Sequence, residues 1–141
     1  PLARVLILAG VPTGAKVFSN FQIPKWIIKD KKLFANFINR LFSCEGCVDL
    51  KNKYIEFKMY KSVDLIDSGL NFFKEIKYYL SKYFEINSTN PFLVGKTNLR
   101  KDGRETAGII IKIKNKDSLK NFNKFIGFGD KNKQKRLKKI I

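Results

Sequence analysis

The groups available for chemistry in this chain are carboxylates, lysines, hydroxyls and two thiols, because its 141 residues include no histidine. The absence of imidazole excludes Ser-His-Asp hydrolysis, Cys-His proteolysis and every zinc site that needs a histidine ligand. Catalysis would therefore depend on carboxylate, lysine, hydroxyl or thiol groups, or on a hard metal ion held by oxygen atoms.

The two thiols belong to Cys44 and Cys47, in the sequence Cys-Glu-Gly-Cys. Such a pair can be redox-active or supply half of a zinc site, but no second pair and no histidine completes four ligands. We therefore interpret the cysteines as two small buried residues on either side of Glu45 and Gly46. Nothing in this cysteine usage indicates an oxidising compartment, and we expect an intracellular, cytoplasmic protein.

Positive charge dominates the composition, because 29 Lys and Arg against 12 Asp and Glu give a formal net charge of +17. That excess indicates a polyanionic partner, most simply nucleic acid, although basic segments also bind anionic lipid surfaces. A hydrophobic content of 44% and an aromatic content of 13% are too high for a disordered basic tail. No run of about 18 apolar residues occurs, so we expect no membrane span.

A helix over residues 31–44 is predicted to carry Glu45 and Gly46 at its end. Asp30 is a plausible N-cap, and Gly46 stands at a position typical of the residue that follows a helix. A broad apolar stripe at helical spacing lies between them, formed by Leu33, Phe34, Phe37, Ile38, Leu41 and Phe42.

After Gly46 the hydrophobic period changes from helical to alternating. Residues 54–61 predict a half-buried strand that pairs with residues 48–51, and residues 92–100 and 105–114 predict a second hairpin. Helical spacing returns between the hairpins, over residues 64–84. We also expect short helices near residues 2–9 and 24–28, a helix to Phe125 capped by Asp117 or Ser118, and a basic helix over 131–141.

The resulting order, α then β-β-α-β-β-α-α, predicts an α+β fold whose sheet packs on helices with one face and presents lysine to solvent with the other. An eight-residue strand spans about 26 Å, comparable to about eight base-pair steps, so such a sheet can lie along a DNA groove. The alternative is an ordinary solubilising surface. The alternation of inward and outward side chains along the strands gives a set of candidate contacts to nucleic-acid bases and backbone. They are Tyr54, Lys58, Tyr60, Lys96, Asn98, Arg100, Arg104, Lys112 and Lys114.

The segment Phe37-Ile38-Asn39-Arg40-Leu41-Phe42-Ser43-Cys44-Glu45-Gly46 resembles the signature helix of the LAGLIDADG homing endonucleases, an apolar helix that ends in an acidic residue and glycine. Three other regions are similar to family motifs, in the family's order. They are the lead-in of archaeal members (Gly10–Lys16 and Ile23–Ile27), the strand-to-helix junction (Tyr60–Ile66), and the closing motif (Lys124–Phe128 with Lys131, Lys133 and Leu137).

The resemblance implies the α-β-β-α-β-β-α homing-endonuclease fold, with a saddle-like, four-stranded antiparallel sheet and helices on one face. It implies one domain over residues 1–141, with a lead-in (1–29), a core (30–128) and a basic C-terminal helix (129–141). It also implies sequence-specific binding of double-stranded DNA and hydrolysis of phosphodiester bonds that depends on Mg²⁺ or another divalent cation.

In the family, two signature helices pack side by side and place two acidic residues over the scissile phosphates. Glu45 with Gly46 matches the metal-binding position, while Lys133, and after it Lys131, match the closing-motif lysine that stabilises charge on the phosphate. A carboxylate at a helix C-terminus beside a second carboxylate is electrostatically costly, and a divalent cation offsets that cost.

The chain departs from the family pattern at Arg40, where a small residue usually lets two signature helices approach. Arg40 would have to point away from that seam, or the two helices would pair more loosely. Only one signature helix occurs, so we expect a homodimer, one half of a longer two-motif chain, or a binding module without cleavage, such as an RNA splicing cofactor or regulator. The missing initiator methionine suggests a partial chain. A basic structural protein of a ribosome or a membrane surface is a third interpretation.

Overall fold

The computed structural model describes residues 2–11, 13–20 and 22–141, so Pro12 of the lead-in motif lies outside the described residues. This part of the chain forms six α-helices and five strands. They are α1 (Leu2–Leu8), α2 (Lys25–Lys29), α3 (Lys31–Glu45), β1 (Gly46–Asp49), β2 (Tyr54–Ser62), α4 (Ile66–Phe84, after a 3-10 turn at Val63–Leu65), β3 (Phe92–Leu93), β4 (Asn98–Leu99), β5 (Glu105–Ile113), α5 (Lys116–Phe125) and α6 (Lys131–Ile140).

Helix α3 begins where the sequence predicts it. The Asp30 side chain accepts hydrogen bonds from the backbone amides of Lys32 at 2.8 Å and Leu33 at 2.9 Å. Because these amides have no partner inside the helix, the cap stabilises its first turn. Phe34, Ile38 and Phe42 then recur every four residues and are completely buried, so this face of α3 packs into the hydrophobic core against both the sheet and α4.

The end of α3 differs from the prediction, because Gly46 is extended (φ −81°, ψ 158°) and is the first residue of β1. Its amide donates to the Phe42 carbonyl oxygen. A Cβ on Gly46 would lie 2.5 Å from that oxygen. Glycine is thus required by close approach rather than by a left-handed backbone, and no loop separates Glu45 from the sheet.

The sheet is antiparallel in the order β1-β2-β5-β3, and β4 also pairs with β5. It curls into a half-barrel. Alternate residues of β2 and β5 point towards the helices, where the Phe57 ring stacks between Phe42 of α3 and Phe73 of α4 at centroid distances of 4.8 and 4.9 Å. The predicted α+β class, with an antiparallel sheet and helices on one of its faces, is confirmed.

The predicted strand over residues 92–100 is instead two strands of two residues each. Leu93 pairs with Ile109, whereas Asn98 pairs with Thr106. Residues 94–97 therefore stand opposite only Ala107 and Gly108, and the chain bulges by two residues. This bulge contains Lys96, which the sequence had predicted to lie within a continuous strand.

Strand β5 also departs from the expected alternation, since both of its faces are buried from Thr106 to Ile111. It is flanked by β2 on one side and by β3 and β4 on the other. Side chains of its neighbours cover its solvent side: a Cβ on Gly108 would lie 3.0 Å from Lys58 Cε and 3.1 Å from Val94. The predicted open polar face is therefore limited to β2 and to Lys112 near the end of β5.

Two smaller predictions are wrong. The N-cap of α5 is Asn115, whose side-chain oxygen accepts from the amides of Asp117 at 2.9 Å and Ser118 at 3.1 Å. Cys44 and Cys47 are free and exposed rather than buried. In β1 the neighbouring residues Gly46 and Val48 point inward, so alternation turns Cys47 outward.

The junction between α3 and β1 can be tested by Gly46→Ala. Because the added methyl group would strike the Phe42 carbonyl, we expect the free energy of unfolding to fall by about 1–3 kcal/mol in urea denaturation. Gly95→Ala is the matched control, since a Cβ there meets nothing within 4 Å, and it should change stability by less than about 0.5 kcal/mol. Equal stability of the two variants would contradict the close approach.

Candidate nucleic-acid interface and acidic helix end

Glu45 is the last residue of α3, and its side chain is 33% exposed. The Lys16 ammonium forms an ion pair with the Glu45 carboxylate. A carboxylate at this position faces the negative end of the helix dipole, which disfavours it. Lys16 offsets that unfavourable interaction from the lead-in loop, which the sequence had not indicated as part of a site.

Lys61 holds the lead-in loop against the sheet. Its side chain is only 1% exposed, and its ammonium donates hydrogen bonds to the carbonyl oxygens of Lys16 and, at 2.6 Å, of Ser19. The Ser62 amide donates to the Val17 carbonyl at 3.0 Å. These bonds fix the backbone from which the Lys16 side chain reaches Glu45.

The position of Lys61 in the alternating strand was the signal that sequence reasoning missed. Ile55, Phe57 and Met59 point inward, and Lys61 continues that inward series. Burial, and after it the charge of Lys16, lowers the pKa of Lys61 from 10.5 to about 8. A lysine at an inward strand position requires partners of its own, here backbone carbonyls.

Lys133 contacts the same end of α3 from the opposite end of the chain. Its ammonium donates to the Ser43 carbonyl oxygen at 2.5 Å, one of the carbonyls that a helix C-terminus leaves without a partner. Asp130 caps α6 by accepting from the Lys133 amide at 2.8 Å. The Lys131 side chain is exposed and forms no hydrogen bond or ion pair with any described residue. Of the two predicted lysines, only Lys133 is therefore placed at this helix end.

Arg40 lies against the loop that precedes α6. A Cβ on Gly129 would lie 3.1 Å from Arg40 Nη1, while the Gly129 amide donates to Ser43 Oγ at 2.7 Å. Asn39 donates to the Ile126 carbonyl at 2.9 Å. The guanidinium thus packs beside the loop of its own chain that precedes α6.

We define the outer face as the side of β2 and β5 that points away from the helices. It brings together four predicted contacts: Tyr54, Lys58, Tyr60 and Lys112. The Lys112 ammonium lies 4.4 Å from the Tyr54 ring centroid and 3.2 Å from a Glu56 carboxylate oxygen. Its hydrogen bond to the Tyr54 hydroxyl, followed by the interactions with Glu56, raises the pKa of Lys112.

The remaining outer-face lysine is arranged in the same way, since Lys58 lies 4.8 Å from the centroid of the Tyr60 ring. Cation–aromatic contacts of this kind contribute about 0.5–1 kcal/mol at exposed sites. They limit the side-chain freedom of the two lysines, so that less conformational entropy is lost when a polyanion binds.

The other predicted contacts do not form one cluster. Arg100 and Arg104 flank the Phe18 ring at 5.2 and 4.4 Å, beside the turn that joins β4 to β5. Phe18 comes from the lead-in loop, and no periodic pattern pointed to it. Asn98 lies in β4, Lys96 in the bulge and Lys114 just after β5, and all three are exposed.

A family model described as a LAGLIDADG-like domain matches residues 33–127, which is more than half of the chain. The chain belongs to the LAGLIDADG homing endonuclease family. The match begins in α3 and ends after α5, so it includes the signature helix with Glu45 and the whole sheet. No curated protein and no solved structure was found to match.

Membership places the chain in an endonuclease-type family that generally binds DNA and generally depends on a divalent metal. The described residues of this LAGLIDADG chain do not complete a metal site, because they contain no group of three or more acidic or cysteine side chains able to hold an ion. Glu45 alone supplies at most two oxygen ligands, and Mg²⁺ in proteins takes its remaining ligands from water, substrate phosphates or a second carboxylate. Within the described ranges no helix is both long and apolar enough to cross a membrane.

The buried lysine gives a pH dependence that can be measured against Lys61→Met. The pKa of Lys61 is lower in the folded chain (about 8) than the ordinary value of 10.5, so between these pH values the unfolded chain binds more protons. Wild-type stability should therefore rise relative to Lys61→Met as pH increases from about 8 to 10.5, and stay level below pH 8. A constant difference in unfolding free energy from pH 7 to 11 would contradict this environment for Lys61.

Proposed function

We propose that this LAGLIDADG chain binds double-stranded DNA with the outer face of its sheet and cleaves phosphodiester bonds when two Glu45 helix ends are brought together. The observation that carries the proposal is the direct passage of α3 into β1. Glu45 precedes Gly46, and Gly46 pairs with Phe57, the neighbour of Lys58. The acidic residue is thus fixed beside the strand that carries the cationic outer face.

The outer face has the chemistry for duplex binding. Lys58 and Lys112 are suited to phosphate oxygens. Outside the outer face, in β4 and the turn to β5, Asn98, Arg100 and Arg104 can reach base edges in the major groove. The nine residues of β2 extend over about 30 Å, the length of about nine base-pair steps. Which of these side chains distinguish bases is set by how the duplex lies on the curled sheet.

Cleavage requires the acidic ends of two signature helices, and this chain supplies one of them. Because the family pairs two signature helices, the proposal includes a second one, from a homodimer or from another motif-bearing repeat. Glu45 and its counterpart would hold Mg²⁺ or another divalent cation, which would supply Lewis acidity at the phosphate. Within this chain, Lys16 orients Glu45 through their ion pair, and Lys133 donates a hydrogen bond to the Ser43 carbonyl at the same end of α3. From there Lys133 would stabilise charge on a phosphate bound near Glu45.

Duplex binding can be tested by the salt dependence of affinity. Removing Lys58 and Lys112 together, as Lys58→Gln/Lys112→Gln, should weaken binding of a fluorescent duplex. It should also reduce the slope of log K against log[salt] by up to about two units, because each lost phosphate contact removes about 0.9. Fluorescence anisotropy across a salt series provides the measurement.

The matched control is Lys116→Gln/Lys120→Gln, which removes the same charge from α5, a helix on the other side of the sheet. This variant should keep the wild-type slope. If both double variants reduced the slope equally, binding would depend on net charge rather than on the outer face.

Cleavage can be tested with Glu45→Gln. Wild-type protein with Mg²⁺ should cut defined sites in a genomic DNA library, and the variant should not. The variant should unfold within about 1 kcal/mol of wild type, since the Lys16 pair is partly exposed and the carboxylate opposes the helix dipole. Identical cutting by both proteins would exclude Glu45 as a catalytic residue.

A second candidate function is a nucleic-acid-binding module of the same fold that does not cleave. The presence of one signature helix among the described residues favours it. For such a module we expect sedimentation equilibrium to show one chain bound to one duplex, and we expect no cutting of the DNA. The nuclease instead requires two signature helices in the complex.

A further inference from the structure

A concavity lies away from the outer face, between α4 and the chain that leads from it to β3. Its volume is about 590 Å³. The opposite side of α4 packs on the sheet through Phe73, Ile76 and Leu80, so the concavity opens on the helical side of the molecule. Its walls are formed by Lys74, Lys77, Tyr78, Ser81, Asn87, Ser88, Asn90 and Pro91.

An exposed aromatic ring forms part of this wall. Tyr78 is 57% exposed, although burial of a ring is normally favourable. The ring is supported from below by Tyr79, edge to face at a centroid distance of 4.9 Å, and the Lys82 ammonium lies 5.6 Å from its centroid. No acidic residue lines the concavity, so the Tyr78 ring lies in a positive environment.

The wall that faces α4 is the chain over residues 87–91, and hydrogen bonds to α5 and β5 hold it in place. The Asn87 amide donates to Ser118 Oγ of α5 at 2.9 Å. The Thr89 amide donates to the Lys112 carbonyl at 2.9 Å, and Thr89 Oγ1 accepts from the Lys112 amide at 3.0 Å. Lys77 bridges the two walls through its hydrogen bond to Asn90. The concavity therefore exists before any ligand arrives.

These groups match an unpaired nucleotide better than a duplex. Bases inside a duplex are stacked on one another and do not offer a free face, whereas a single-stranded base can stack on a tyrosine while lysines contact the phosphates. The side-chain amides of Asn87 and Asn90 can donate to and accept from a base edge. The volume is within the range of sites for small organic ligands.

We propose that this concavity binds single-stranded nucleic acid, with one base stacked on Tyr78 and its phosphates contacted by Lys74, Lys77 and Lys82. The site is separate from the outer face, so the chain would hold a single strand and a duplex on different surfaces. The proposal does not depend on DNA cleavage.

The test uses the full chain and labelled oligothymidine and oligouridine of about 12 nucleotides, with anisotropy as the readout. Tyr78→Ala should weaken single-strand binding at least about fivefold, while Tyr78→Phe, which keeps the stacking surface, should remain within about twofold of wild type. Neither change should alter duplex affinity. Tighter binding of oligouridine would identify RNA as the ligand, and tighter binding of oligothymidine would identify DNA.

Two further measurements separate this site from general attraction to a basic protein. Lys74→Gln/Lys82→Gln should weaken single-strand binding more than Lys116→Gln/Lys120→Gln, which changes the charge equally. Excess unlabelled duplex should leave a labelled single strand bound. Complete displacement by duplex, equal losses in the two lysine pairs, or wild-type binding by Tyr78→Ala would each overturn the proposal, and none of these results depends on whether the outer face binds duplex as proposed.

Discussion

The absence of a loop between α3 and β1 is the constraint on which the rest of the structure depends. The Gly46 amide closes the last turn of the helix by bonding to the Phe42 carbonyl, while Gly46 itself already pairs with Phe57 of the sheet. Phe42 and Phe57 stack on each other beneath this junction. Because neither element can move independently of the other, the direction of α3 and the position of Glu45 are both determined by the sheet.

The electrostatics of this junction explain why three distant parts of the chain meet there. A helix C-terminus carries partial negative charge, and Glu45 adds a full one. The Lys133 ammonium donates a hydrogen bond to the Ser43 carbonyl, and the Lys16 ammonium pairs with the Glu45 carboxylate. Lys61 is the least favourable component, since its charge is buried. Its hydrogen bonds to the lead-in loop compensate for part of that burial and hold Lys16 in position.

Local periodicity was sufficient to predict α3, β2, the two-hairpin order and the α+β class, because in each case the side-chain pattern of one segment determines its structure. It was not sufficient where a distant partner decides. The bulge before Asn98 follows from pairing with β5, and Lys16 and Phe18 owe their positions to Glu45 and to two arginines far along the chain. Asn115 was missed because several side chains near that helix start were equally able to cap it.

The two surfaces proposed for nucleic acid are connected through one residue, Lys112. Its side chain lies on the outer face with Tyr54 and Glu56, while its backbone amide and carbonyl both bond to Thr89, which joins the concavity residues Ser88 and Asn90. Strand β5 is central in the sheet and buried on both faces, so its backbone has little freedom to shift. The concavity is therefore held by the same strand that holds the outer face. A change at Lys112 that spares the backbone would affect one surface, whereas displacement of β5 would affect both.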